Sequence, residues 1–386
     1  MKGELLKGYY YCTAVVVVII INGVVDGAAS LASKKKGGGG SDACSCYFVF
    51  GDSQADNGNN NDMLEREYGR ARADYKPYGI DFPPSSSSSS FIPTGRFTNG
   101  RNVPDFIAQF LGFRDYIPPF RTTKSQTILK GANYASGGAG ILLETGRTLG
   151  EVSSIKKQLE NHNYTISQMH RLFGSSSKLK SYLKECLYTV QIGSNDYLNN
   201  YFMPTIYMTS TQYSPQAFAT ALNEDLSRQL KILYEQGARK VAIFGVGSIG
   251  CTPYARANFE HIGLPCVDKI NTAIQLFNAG LKSLVEHLNA NLPSAKFTFI
   301  DVFKISTVDP LNYGKMNLDA PCCEVGAGEM QCTPFGKVCE NRRDYMFFDG
   351  VHPTENGFEL VASSAFNAKQ PDEAYPFDIN HLVHLS

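Results

Sequence analysis

The sequence lacks an excess of charge of either sign: 36 Lys and Arg residues stand against 36 Asp and Glu residues, so the formal net charge at pH 7 is zero. A balanced chain offers no electrostatic reason to bind nucleic acid or an anionic membrane surface, and we expect neither as a partner. The sequence also lacks an internal repeat at a solenoid period. It is rich in apolar material, 43% of its 386 residues, which predicts a large folded core.

No apolar run reaches the ~20 residues that a membrane span requires. The apolar stretch at 9–21 follows Lys2 and Lys7, and small residues follow it at 27–30. This order predicts a secretory signal peptide at 1–30, cleaved near Ala29, with a membrane anchor as the alternative. Residues 31–43, rich in Lys and Gly, predict a flexible leader. We therefore expect one mature domain at 44–386, extracellular or in the cell wall, without an integral membrane span.

Cysteine usage indicates an oxidising compartment, because ten cysteines are present. Six of them are expected to form disulfides in loops: Cys251, Cys266, Cys322, Cys323, Cys332 and Cys339. Nine of the ten lie beyond the predicted signal, so at least one thiol is free or pairs between molecules. A zinc site at the four cysteines in 322–339 is less favoured, since this cluster has no histidine at ligand spacing, and no metal is expected. The sequon at Asn163 predicts a glycosylation site.

Five short apolar segments end in small polar residues and alternate with segments of helical spacing. They lie at 47–50, 131–134, 187–192, 241–244 and 297–300. The alternation predicts an α/β fold in which a mainly parallel five-stranded sheet lies between two layers of helices. Helices are expected at 218–236 and 270–289, and the tail after Lys369 is expected to run over the surface. A ligand site should then lie beyond the carboxyl ends of the strands.

Two polar clusters at such positions could perform nucleophilic chemistry. Ser53 follows the first segment on a strand-to-helix turn, where it could act as a nucleophile or simply cap a helix. Asp349 precedes His352 by three residues, a spacing that lets a carboxylate orient an imidazole acting as a base. The same spacing recurs at Asp378 and His381, in the tail.

Two further clusters could stabilise an oxyanion. The Ser-Gly-Gly segment at 136–138 offers backbone N–H donors with no side chain to block approach, and Asn195 offers an amide donor at a strand end. The alternative is that glycine and asparagine make tight turns here.

These four clusters, in this order, resemble the GDSL subgroup of the SGNH hydrolases, and more closely its plant esterase/lipase branch. The matching blocks lie at 48–53, 56–61, 93–101, 131–141, 192–197, 250–253, 321–323 and 348–354. The resemblance covers about 47–368, nearly all of the expected mature domain. It implies the flavodoxin-like, three-layer α/β/α fold of the SGNH hydrolases.

By this resemblance Ser53 is the nucleophile, His352 the general base and Asp349 the residue that orients the histidine. The implied oxyanion hole consists of the Ser53 N–H, Gly137 (or its neighbour Gly138) and Asn195. The implied activity is hydrolysis of a small-molecule, lipid or polysaccharide carboxylic ester through an acyl-enzyme, with no cofactor. The alternatives are an acyltransferase that uses the same serine and a catalytically silent secreted binding glycoprotein.

Two features depart from the family pattern. Gln54 stands where the motif has leucine, which leaves proton transfer untouched but changes the packing beneath the turn. Six consecutive serines, Ser85 to Ser90, have no counterpart in the pattern and are interpreted as a solvated loop insertion.

Overall fold

The structure, a computed structural model, describes residues 44–61, 71–83, 93–124, 127–307 and 316–385. The predicted signal peptide at 1–30, the leader at 31–43 and the serine run at 85–90 lie outside the described residues. Searched over its described part, the chain has no helix with the length and apolar character of a membrane span.

The central sheet is built from four parallel strands and one short antiparallel strand. The strands of the described residues are β1 (Tyr47–Gly51), β2 (Leu187–Gln191), β3 (Lys240–Phe244), β4 (Lys296–Ile300), β5 (Asn317–Pro321), β6 (Tyr345–Phe347) and β7 (Ala374–Tyr375). The main sheet has the order β1-β2-β3-β4-β7, and β7 alone in it is antiparallel. β5 and β6 form a separate pair. The predicted mainly parallel five-stranded sheet is confirmed.

The helices occupy the intervals between strands and the tail. Across the described ranges they are α1 (Val103–Phe110), α2 (Ile155–Phe173), α3 (Ser176–Leu183), α4 (Ser194–Asp196), α5 (Thr209–Gln212), α6 (Pro215–Glu235), α7 (Pro253–Asn258), α8 (Asp268–Asn291), α9 (Val302–Thr307), α10 (Glu355–Phe366) and α11 (Ile379–His384). The two predicted helices correspond to α6 and α8. The Ser214 side chain caps the start of α6 by accepting a hydrogen bond from the Ala217 N–H.

The core lies on both faces of the sheet because side chains alternate along each strand. Phe48 and Phe50 of β1 pack in one cluster with apolar residues of α2, α3, α6 and α8. Tyr47 and Val49 pack in a second cluster with residues of α1, α9, α10 and α11. The fold is therefore the predicted three-layer α/β/α arrangement.

The segment at 131–134 differs from the prediction of a strand. It runs beside β1, where the Tyr134 N–H donates to the Val49 carbonyl at 2.7 Å, but it contributes only isolated bridges at Asn133. The Asn133 side chain donates to the Ala55 carbonyl at 2.7 Å and accepts from the Ala135 N–H at 2.9 Å. These local bonds compete with a regular ladder, and the fifth strand of the sheet is β7 instead.

The prediction that the tail runs over the surface is wrong. β7 pairs with β4, and α11 buries Ile379, Leu382 and Val383 against the second core cluster. Asp378 caps α11 by accepting from the His381 N–H at 2.8 Å. This Asp-His pair therefore starts a helix, and the sequence spacing alone did not distinguish that use from an orienting carboxylate.

Within the described residues four disulfides are present, Cys46–Cys186, Cys251–Cys266, Cys322–Cys339 and Cys323–Cys332. All six cysteines that were expected in loop disulfides are paired. The bond between Cys46 and Cys186 joins the residues just before β1 and β2. Cys44 is a buried free thiol.

Candidate active site

Ser53 lies on a tight turn at the carboxyl end of β1. Glycine is required at Gly51, because a Cβ there would lie 2.5 Å from the Gln191 carbonyl oxygen of β2. The Gln158 side chain from α2 holds the same glycine by accepting from its N–H at 2.9 Å and donating to its carbonyl at 2.8 Å. The turn that follows is thus anchored to both a strand and a helix.

His352 and Asp349 lie on the loop between β6 and α10. One carboxylate oxygen of Asp349 accepts from the backbone N–H groups of Val351 and His352, at 2.8 and 2.7 Å. The Thr354 side chain then caps α10 by accepting from the Gly357 N–H at 3.2 Å. The acidic residue therefore shapes the loop that carries the histidine.

The structure brings Ser53, His352 and Asp349 into one row, although 299 positions separate the serine from the histidine. The Nε2 atom of His352 lies 2.7 Å from the Oγ of Ser53, and its Nδ1 lies 2.7 Å from Oδ2 of Asp349. An ionised carboxylate only accepts, so Nδ1 carries the proton and Nε2 is left to accept from the serine hydroxyl. Asp349 is fully buried, whereas His352 and Ser53 are 5% and 9% exposed, so the serine lies at the more accessible end of the row.

Asn195 occupies α4, the single helical turn that follows β2. Its side-chain amide donates to the Ala139 carbonyl at 3.0 Å and its oxygen accepts from the Asn199 amide at 2.6 Å. An amide nitrogen has two N–H groups, so one remains for a ligand. The neighbouring Asp196 accepts from the Ile141 N–H at 2.8 Å, which links this turn to the glycine-rich loop at 136–141.

The glycine-rich loop differs from the expected arrangement. The N–H of Gly137 donates to Oδ2 of Asp56 at 2.9 Å and is therefore already engaged. Among the described residues, the N–H groups of Gly138 and Ser53 have no hydrogen-bond acceptor. Sequence reasoning missed Asp56; the signal was its place in the matching block at 56–61.

Three buried carboxyl groups surround this site. Burial raises the pKa of Asp52 to about 7 and the pKa values of Asp56 and Asp196 to about 6, since the charged form is poorly solvated there. Asp56 and Asp196 receive several hydrogen bonds that oppose this rise. In Asp52, Oδ1 accepts from the Gln54 N–H at 3.0 Å but Oδ2 has no partner among the described residues.

A cavity of about 460 Å³ lies next to the turn and the loops that carry these residues. Its wall includes residues that adjoin the serine, the asparagine and the histidine: Gln54, Ser194, Val351 and Pro353. Its remaining wall is largely apolar and includes Val246, Ile249, Val302, Leu318, Phe347 and Phe358. The volume and character match those of small-molecule sites. No group of three or more His, Cys, Asp or Glu side chains that could hold a metal ion occurs within the described ranges.

A serine, a histidine and a carboxylate at the carboxyl edge of a parallel sheet, with free N–H donors and an apolar cavity beside them, are typical of serine hydrolases. The family model described as GDSL-like lipase/acylhydrolase matches residues 47–365. Two GDSL esterase/lipases of Arabidopsis thaliana are 46% and 44% identical over 345 residues, 88% of this chain and 92% of each relative. The chain belongs to the GDSL-like lipase/acylhydrolase family, and it is a carboxylic ester hydrolase.

Among solved structures, an extracellular lipase of Streptomyces rimosus covers 83% of this chain and 99% of its own at 16% identity and a TM-score of 0.33.

Proposed function

We propose that this protein hydrolyses carboxylic esters through a Ser53-His352-Asp349 triad and an acyl-enzyme. The observation that carries the proposal is the continuous row of hydrogen bonds, 2.7 Å from serine to histidine and 2.7 Å from histidine to aspartate. In the first step His352 takes the hydroxyl proton as the Ser53 oxygen attacks the ester carbonyl. The alcohol leaves with that proton, and water activated by the same imidazole releases the acid.

The tetrahedral oxyanion would be held by three donors. They are the Ser53 N–H, the Asn195 side-chain amide and the Gly138 N–H. Gly138 replaces Gly137 as the proposed donor because the Gly137 N–H is bonded to Asp56. The role of Asp56 is then to hold the glycine loop in place, so that the adjacent peptide can face the developing charge.

The acyl portion of the substrate would enter the apolar cavity beside the row. Its wall of valine, isoleucine and phenylalanine side chains favours a hydrocarbon chain over a sugar. The substrate class that fits is a small-molecule or lipid ester with an apolar acyl chain. Gln54 stands at the cavity wall as well, where the family motif would place leucine.

Secretion, signal cleavage near Ala29 and glycosylation remain proposals. Four disulfides support an oxidising compartment. Asn163 lies on an exposed position of α2, where a glycan can be accommodated. Mass spectrometry of the protein recovered from culture medium tests both: a retained residue 1 would contradict cleavage, and an unmodified Asn163 would contradict glycosylation.

The test of the activity is Ser53→Ala against Ser283→Ala, an exposed serine on α8. Turnover of p-nitrophenyl esters should vanish in the first variant and persist in the second, because only the first lacks the nucleophile. Product analysis with an alcohol present would reveal an acyltransferase instead. A folded wild-type protein that a fluorophosphonate does not label at Ser53 would favour the silent binding glycoprotein.

A further inference from the structure

Asp349 accepts a hydrogen bond from a group that the triad does not include. One of its oxygens takes two backbone N–H groups, as described above. The other, Oδ2, receives both the His352 Nδ1–H at 2.7 Å and the hydroxyl of Tyr78 at 2.6 Å. A carboxylate has about four acceptor positions, so all of them are filled.

The direction of the Tyr78 hydroxyl is determined by its second partner. The backbone N–H of Cys332 donates to the Tyr78 oxygen at 3.0 Å. An N–H group only donates, so the hydroxyl oxygen accepts this bond and its own proton points to Asp349. Burial, together with the nearby Asp349 charge, raises the pKa of Tyr78 well above its usual value, so the proton stays on the oxygen.

The Cys332 backbone, whose N–H directs the Tyr78 hydroxyl, is itself held in place. Cys332 is bonded to Cys323, and its carbonyl accepts from the Tyr75 hydroxyl at 2.9 Å. The ring of Tyr78 is fully buried and packs edge-on against Phe348, which precedes Asp349 in the chain. The loop closed by the Cys323–Cys332 disulfide therefore holds the Tyr78 hydroxyl that donates to Asp349.

We propose that Tyr78 is a positioning residue that acts through Asp349, and that the loop closed by the Cys323–Cys332 disulfide sets its direction. The inference rests on the proposed triad. Tyr78 touches neither the serine nor the substrate-facing nitrogen of His352; it stops the carboxylate from rotating and shares its negative charge. Loss of the hydroxyl leaves Asp349 with more charge to direct at the imidazole, which favours protonated His352.

The test compares Tyr78→Phe with Tyr188→Phe, a matched variant that removes a buried hydroxyl, bonded to the Leu183 carbonyl at 3.1 Å, without touching Asp349 or the disulfide-linked loop. The first should lower kcat by about 10- to 100-fold, the range expected when a hydrogen bond to a charged group is lost, with little change in KM. The second should keep about the wild-type kcat. The acid limb of the kcat–pH profile should move to higher pH in Tyr78→Phe alone.

Other ionisable groups face the row and must be held constant. Asp52 interacts electrostatically with His352, and Tyr75 with Asp349. Asp52 titrates near neutrality in wild type and variant alike, so the displacement between the two profiles is the quantity to read. Equal kcat values in the two tyrosine variants, or a fall in kcat with an unmoved acid limb, would overturn the proposal.

A second variant keeps the proposal testable if Tyr78→Phe does not fold. Cys323→Ala combined with Cys332→Ala leaves the hydroxyl but frees the loop that directs it, so kcat should fall and the acid limb should move in the same direction. If both variants fold, the triple variant that combines them should have a kcat no lower than that of Tyr78→Phe alone. Additive losses of kcat would refute the proposal that the loop acts through Tyr78. An active Ser53→Ala would instead refute the triad itself.

Discussion

The substitution Asp52→Asn should stabilise the fold at neutral and higher pH but not in acid. Asp52 is 1% exposed and its Oδ2 has no partner among the described residues, so its charged form is poorly compensated. Its pKa rises from 3.8 to about 7 on folding. The unfolded chain therefore gives up this proton at lower pH than the folded one. The wild-type protein loses stability as the pH rises from the pKa of Asp52 in the unfolded chain to its pKa in the folded chain.

The size of this effect depends on how much of the pH interval between the two pKa values of Asp52 the experiment covers. Between pH 5 and pH 7 the carboxyl is ionised in the unfolded chain and largely neutral in the folded one, and each unit contributes about 1.36 kcal/mol. The isosteric amide of the Asp52→Asn variant does not titrate. The free energy of unfolding of this variant, relative to wild type, should therefore grow by about 2.5 kcal/mol from pH 5 to pH 8.

The assay is equilibrium urea unfolding at pH 5 and pH 8, followed by circular dichroism with the disulfides intact. Asp56 and Asp196 titrate in both proteins, so the part of their contribution that does not depend on Asp52 cancels in the difference. Asp115→Asn, at an exposed loop position, is the matched control and should show no such growth. A gain in stability that is the same at both pH values would refute the reasoning, because it would show that Asp52 is already ionised in the folded protein at pH 5.

Two predictions concern the chemistry directly. Asn195→Ala should lower kcat by about 100- to 1,000-fold, because one donor to the oxyanion is lost; steady-state kinetics that show a change in KM alone would contradict that role. Gln54→Leu should raise kcat/KM for a long-chain p-nitrophenyl ester relative to the butyrate ester by up to about tenfold, because it makes the cavity wall more apolar. Equal effects on both esters would show that Gln54 does not contact the acyl chain.

The sequence predicted the parts of this fold in which local pattern and tertiary role agree. β1 to β4 are short, apolar and followed by small polar residues, and the ends of parallel strands meet at one edge. That pattern predicts the place of Ser53 after β1, whereas Asp349 and His352 follow β6 and were predicted to join it from the family resemblance. The strand pattern carries this much information because the topology of a parallel sheet leaves few places for the loops after its strands to go.

The features that the sequence did not reveal depend on contacts between distant segments. The short strand β7 exists because the chain returns to the edge of β4, and nothing in Ala374 or Tyr375 alone predicts that pairing. The engaged N–H of Gly137 depends on Asp56, which is 81 positions away. The bond from Tyr78 to Asp349 spans 271 positions. Local propensity carries no information about partners at these separations.

The polar run at 56–61 links the loop that carries Ser53 to the loop that carries the proposed glycine donor. The Asn59 amide donates to the carbonyls of Asn133 and Ala135, each at 2.8 Å, and the Asn60 amide donates to that of Gly137 at 2.9 Å. Asp56 takes the Gly137 N–H from the same side. The loop that carries the serine therefore holds the backbone of the glycine loop, residue by residue. Because both loops share these bonds, we expect a shift of one to move Ser53 and the Gly138 N–H together, which would keep the spacing between the proposed nucleophile and the proposed donor constant.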